Sequence, residues 1–237
     1  MWTDALELKD FYASGLGRVA RRMIIRRIRE LWPDGHGLNI LGVGYATPFL
    51  GPFRAEAQRV LAVMPAAQGV LHWPRDGAGL TTLADETYLP IPDRSMDRVL
   101  VVHAHECAEP PRPMMRELWR VMADGGRIMV VVPNRRGVWA RFERTPFGNG
   151  RPYSPGQLSR SLRDGLFEPL GWSTALYVPP VHSSMILSSA AAWEKIGQRW
   201  FSTFAGVVIV EAGKQIYAGS FVTEDAPQKA FAPVVPR

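Results

Sequence analysis

Two histidines and a glutamate, His103-Ala-His105-Glu106, stand at the end of the apolar run Arg98–His103. Imidazole titrates near neutrality, so either histidine at a strand end can act as a general base. In an extended segment His103 and His105 would share one face and Glu106 would take the other. An earlier strand, Asn39–Val43, leads into the turn Gly42-Val43-Gly44-Tyr45-Ala46. Missing side chains there let backbone N–H groups approach a ligand, as in a nucleotide-type cofactor loop. They serve equally well for tight packing of strand on helix. A dinucleotide fingerprint is disfavoured, because Thr47 stands where a third glycine belongs and no acid closes the second strand at Val63-Met64-Pro65. No Gly-Lys-Ser/Thr follows, so a P-loop is out.

The elements that must position these groups follow from periodicity. Ala20, Ile24, Ile28 and Leu31 recur at helical spacing, which predicts a helix over Arg18–Trp32. Arg18, Arg22, Arg26 and Arg29 form a second stripe on it, and Trp32-Pro33-Asp34-Gly35 ends it. Strands are then expected at Asn39–Val43, Arg59–Val63, Leu80–Leu83, Arg98–His103 and Arg127–Val132, with helical character at Arg54–Gln58 and Arg112–Met122. The last third predicts a helix at Ser154–Gly165, a strand at Ala175–Val178, a helix at Ala190–Phe201 and a strand at Gly206–Glu211, continued or paired by Gln215–Ala218. Near-continuous apolar strands separated by helices argue a parallel sheet covered on both faces.

Composition sets the bounds. A chain of 237 residues, 46% hydrophobic and 21% charged, can bury one substantial α/β core. Its one cysteine, Cys107, excludes an internal disulfide and a cysteine-cluster metal site. There is no signal-peptide core and no apolar run of membrane-spanning length, so a cytoplasmic protein is expected. The net charge of +6 favours acidic partners in a general way.

The central segment is the most specific. It runs Asp85-Glu86, then Leu89-Pro90-Ile-Pro92, then Ser95-Met-Asp97, then the strand ending at His103-Ala-His105-Glu106. Arg116-Glu117-Leu-Trp-Arg120-Val-Met-Ala-Asp-Gly125-Gly126 follows. From Gly35 to Pro133 this resembles class I S-adenosylmethionine-dependent methyltransferases of the type 11 group. The resemblance implies a doubly wound, Rossmann-like α/β fold with helices on both faces. Its seven-stranded, mostly parallel sheet would have an antiparallel last strand. It also implies S-adenosylmethionine as cofactor, held by Gly42, Gly44, Tyr45, Ala46, Met64, Asp85, Glu86 and His103. Within that set, Asp85 matches the acid that meets the adenine amino group. His103 lies under the methionine half, and His103 or His105 would be the base.

Two positions depart from the family pattern. Ile40 stands where an acid commonly precedes the first motif glycine, and Met64 where an acid grips the ribose hydroxyls. A hydrogen bond to a charged group contributes roughly 1.5–3 kcal/mol. Losing two predicts about a thousandfold weaker binding unless Gln58, Gln68 or backbone groups substitute. His-Ala-His-Glu is also similar to the first metal motif of metallo-β-lactamase-fold hydrolases. The chain continues Cys107-Ala108 where that motif has Asp-His, so no metal is expected.

The stretch after the fifth strand is basic and aromatic. Asn134, Arg135, Arg136, Trp139 and Arg144 are the candidates for holding a methyl acceptor, small molecule or RNA, because arginines suit anions and aromatic faces suit flat rings. The expected organisation is one domain over 1–222, with a basic helix at 1–34, a cofactor half at 35–133 and an acceptor half at 134–222. A flexible tail covers 223–237. The expected function is methyl transfer to an acidic, aromatic or RNA acceptor. The alternative is a methyltransferase-fold module without turnover. Such a module would bind nucleic acid or protein through Arg18, Arg22, Arg26 and Arg29.

Overall fold

The structure is a computed structural model that describes residues 2–215. The chain opens with two helices, α1 (Ala5–Ala13) and α2 (Gly15–Leu31). Seven strands follow: β1 (Asn39–Gly44), β2 (Arg59–Pro65), β3 (Thr81–Ala84), β4 (Met96–Val102), β5 (Met122–Pro133), β6 (Phe167–Ala175) and β7 (Val207–Lys214). Between them lie α3 (Thr47–Leu50), α4 (Pro111–Val121), α5 (Pro155–Asp164), α6 (Ser184–Ser188) and α7 (Ala190–Trp200). One sheet takes the order β3-β2-β1-β4-β5-β7-β6. β7 runs antiparallel to both β5 and β6, while the pairs from β3 through β5 are parallel. The order reverses between β1 and β4, the position where open α/β sheets form a crevice at their carboxyl ends.

Alternation along the strands builds two cores. Ile40, Ala62, Leu100, Met129 and Ile209 pack under α1, α2 and α3. Leu41, Val63, Val99, Ile128 and Val210 point the other way, under α4 and α5. On α2 the side chains of Ala20, Ile24 and Ile28 are fully buried, as their spacing requires. Each isoleucine contributes about 2 kcal/mol by leaving water. Ser14 closes α1 and caps α2, its side chain accepting from Gly17 N–H. Gly17 is needed at that corner, since a Cβ there would fall 1.9 Å from the Phe11 carbonyl oxygen.

Several elements differ from expectation. α1 has no counterpart in the sequence reading. Residues 54–58 form turns, and the helical residues lie earlier, at Thr47–Leu50. The sixth strand is Phe167–Ala175, ending where Ala175–Val178 was expected to begin. It is an edge strand whose interior positions are half-buried or exposed, so it carries no apolar run. Lys214 ends β7, Gln215 donates its N–H to Leu166 O, and positions 216–218 and the tail 223–237 lie outside the described residues.

The arginine stripe of α2 is largely used within the chain. Arg18 donates to the Ala13 carbonyl, Arg26 pairs with Glu30, and Arg29 makes a two-pronged pair with Glu56 at 2.8 and 2.9 Å. Arg22 remains exposed. Arg26 and Arg29 are thus neutralised by carboxylates, while Arg18, on a neutral carbonyl, and Arg22 keep their charge.

Candidate active site

β1 ends at Gly44, whose φ of +77° belongs to the left-handed region. A Cβ there would meet the Val102 carbonyl oxygen at 2.3 Å and the Ala104 Cβ at 2.8 Å. A Cβ on Gly42 would meet Leu50 Cδ1 at 2.6 Å. Both glycines thus let protein atoms close in: Gly44 seats the β1 turn against the end of β4, and Gly42 seats α3.

Directly over this turn lies a buried polar cluster. Tyr45 is 5% exposed and stacks on Tyr12 of α1, with ring centroids 5.8 Å apart and planes within 12°. The Tyr12 hydroxyl sits 2.7 Å from His103 Nε2. His103 has a φ of +52°, a conformation that costs a residue with a Cβ of order 1–3 kcal/mol and that the surroundings must hold. Its Nδ1 lies 3.2 Å from Glu106 Oε1. Gln68 donates its side-chain N–H to the His103 carbonyl at 2.9 Å, while the Gln68 carbonyl accepts from Ala5 N–H at the start of α1. Phe147 closes the cluster, its ring centroid 5.1 Å from that of His103.

Charge in this cluster is arranged in one direction. Burial, and then the neighbouring Glu106, raise the Tyr12 pKa well above its usual value, so the hydroxyl keeps its proton. The Tyr12 hydroxyl and His103 Nε2 share one hydrogen bond, whose direction follows the His103 tautomer, and His103 Nδ1 faces Glu106. That contact is close enough for Coulomb attraction but off-line for a hydrogen bond, so neither Glu106 oxygen has a donor. Gln68 Oε1 is likewise buried without a donor. Three acceptor atoms without donors, in residues at most 2% exposed, mark this place out.

His103 and His105 do not share a face. β4 stops at Val102, so strand alternation no longer applies beyond it. His105 turns to the α5 side, with Nε2 3.2 Å from Ser161 Oγ and its ring 5.0 Å from Tyr153. Burial there pushes its pKa down to about 4, so it is neutral. Glu106, expected on the opposite face, turns toward His103 instead.

The adenosine-side residues are less gathered. Asp85 follows β3 on the same sheet edge but is exposed, its carboxylate accepting from Thr87 N–H and Oγ1–H. Those two bonds hold its pKa low. Glu86 beside it is half-buried, and Ala46 is fully buried. Ile40 and Met64 are core side chains. Met64 Sδ accepts from Leu71 N–H. Of the acceptor-side residues, Trp139 is 1% exposed and donates to Val178 O, and Asn134 holds the Thr203 and Ala205 carbonyls. Both side chains are thus buried and engaged within the chain, and Asn134 also lines a pocket with Arg136. Arg135, Arg136 and Arg144 remain exposed. Among the described residues the one set spaced for a metal is Asp34, His36 and Glu56, at the opposite end of β1, and Glu56 is already held by Arg29.

Residues 40–130 match the family described as a methyltransferase domain. This stretch resembles the class I methyltransferases. Solved structures agree at the level of fold. A S-adenosylmethionine-dependent methyltransferase of Thermotoga maritima matches with a TM-score of 0.60 at 18% identity, over 87% of this chain and 94% of its own. One from Archaeoglobus fulgidus matches with a TM-score of 0.58 at 19% identity, over 82% and 94%. Geranyl diphosphate C-methyltransferase of Streptomyces coelicolor matches with a TM-score of 0.54 at 13% identity, over 80% and 76%. No curated protein matches the sequence. No helix among the described residues is long and apolar enough to cross a membrane.

The residue that sequence reasoning missed is Tyr12. It lies 91 positions from His103 and carried no local signal. Gln68, weighed as a stand-in for the missing acids, donates to the His103 carbonyl at the end of β4.

Proposed function

We propose that the chain transfers a methyl group from S-adenosylmethionine, with Gln68 and Glu106 meeting the cofactor's cationic end and His103 as the base. The observation that carries this is the buried Glu106 carboxylate without a donor at the carboxyl end of β4. A buried ion without a partner costs several kcal/mol, and a cationic ligand bearing N–H groups removes that cost. S-adenosylmethionine carries an ammonium and a sulfonium and, when bound, supplies an electrophilic methyl carbon. The fit is to this end of the cofactor. At the ribose end, Ile40 and Met64 offer no carboxylate.

Glu106 would stabilise the imidazolium that forms when His103 Nε2 accepts the acceptor's proton. Tyr12 now occupies Nε2, so it must give way before a substrate proton reaches the imidazole. His105, neutral and engaged by Ser161, is left out of the reaction. The module without turnover is not favoured: two of the four stripe arginines it needs, Arg26 and Arg29, already hold carboxylates.

Titration calorimetry with S-adenosylmethionine and S-adenosylhomocysteine tests the reading. Binding should be detected, and Glu106→Gln should weaken S-adenosylmethionine about tenfold or more. No heat at about millimolar ligand would sink it.

A further inference from the structure

Beside the buried cluster lies a groove of about 900 Å³ between α1, α3 and the β2–β3 loop. Tyr12 and Tyr45 line it, and Tyr12 also bonds His103, so one ring separates the groove from the imidazole. Its rim carries Lys9, Arg21, Arg54 and Arg75. None of these four pairs with a carboxylate among the described residues. Arg54 lies over the Trp73 ring, 5.5 Å from its centroid, and Arg21 donates to the Pro48 carbonyl. The one acid among the lining residues is Asp76, and Asp10 lies close enough to Tyr45 to add to its raised pKa. The lining is therefore cationic and aromatic, while the cluster behind the tyrosines holds only unpartnered acceptors.

These two halves suit opposite ligands. A cation belongs with Glu106 and Gln68, and an anion belongs in the groove. We propose that this groove binds a planar ring carrying a carboxylate or phosphate, and that such a molecule is the methyl acceptor. Arginines meet the anionic group, Trp73 and Tyr45 offer faces to the ring, and the ring's far edge points past Tyr12 toward His103. The acceptor role rests on the methyltransferase reading above; the anion site does not.

Calorimetric titration without cofactor tests the site, using 1-naphthoate, 1-naphthyl phosphate and the neutral naphthalene-1-methanol. The anions should bind with Kd near about 0.1 mM and the alcohol at least about tenfold more weakly. The double substitution Arg54→Gln with Arg75→Gln should weaken the anions at least about tenfold, with the melting temperature and S-adenosylmethionine titration unchanged. The tighter of the two anions names the preferred group. Equal binding of alcohol and anions, anion binding untouched by the double substitution, or no anion binding at all would each overturn the proposal. Anion binding without S-adenosylmethionine binding would leave the groove standing and remove the methyltransferase reading. The reverse result removes the groove alone.

Discussion

Tyr12 of α1 and His103 at the end of β4 are joined by a 2.7 Å hydrogen bond, although the chain separates them by 91 positions. The bond fastens the N-terminal helix across the glycine turn, and it occupies the imidazole nitrogen that the proposed reaction requires. Tyr12→Phe keeps the ring stacked on Tyr45 but leaves Nε2 buried without a partner. It should lower unfolding free energy by about 1–3 kcal/mol in urea. A loss below about 0.5 kcal/mol would mean the contact does not hold α1 in place.

Glu106 should behave oppositely. Its carboxylate is buried, with His103 Nδ1 3.2 Å from Oε1 and no donor on either oxygen. Glu106→Gln removes a buried charge at nearly constant volume, so the free protein should melt at the same or a higher temperature. The same substitution should weaken S-adenosylmethionine binding. A lower melting temperature together with unchanged affinity would place Glu106 among purely structural residues.

How much could be foreseen depended on how locally each feature is encoded. β1, β2, β4 and β5 are buried on both faces and read as apolar runs. β6 is an edge strand with Pro169 and Gly171 where its register to β7 shifts, and no run betrays it. α1 places only Ala5, Leu8 and Tyr12 inward among nine residues, too few to stand out. The glycine turn was legible, but its glycines turned out to admit neighbouring protein atoms. Tyr12 meeting His103 is a product of the whole topology, which one sequence does not display.

The Glu117–Arg120 pair on α4 shows what one motif does physically. Glu117 accepts from Leu89 N–H at 2.7 Å and from Arg120 at 2.6 Å. Arg120 also reaches the Leu89 and Ile91 carbonyls and Asp93. Together they tether the loop that carries Asp85 and Glu86. Arg120→Met should strand the mostly buried Glu117 carboxylate and cost about 3 kcal/mol, with faster proteolysis within residues 85–95. Arg120→Met combined with Glu117→Gln should recover part of that loss, as a double-mutant cycle would report.

His105 sets an expected pH dependence. Burial holds its folded pKa near about 4, against about 6.5 when unfolded. Above pH of about 6.5 neither state binds the proton, and this residue contributes no pH dependence. Between about 6.5 and 4 the unfolded chain takes up a proton that the folded chain refuses, so stability falls as pH falls. Over that window the loss approaches about 3 kcal/mol, and below it both states are protonated and the loss levels off. Urea unfolding at pH 7, 5.5 and 4.5 should trace this decline, and His105→Gln should flatten it while keeping a partner for Ser161. An unchanged slope in the substituted protein would show that other groups carry the acid sensitivity.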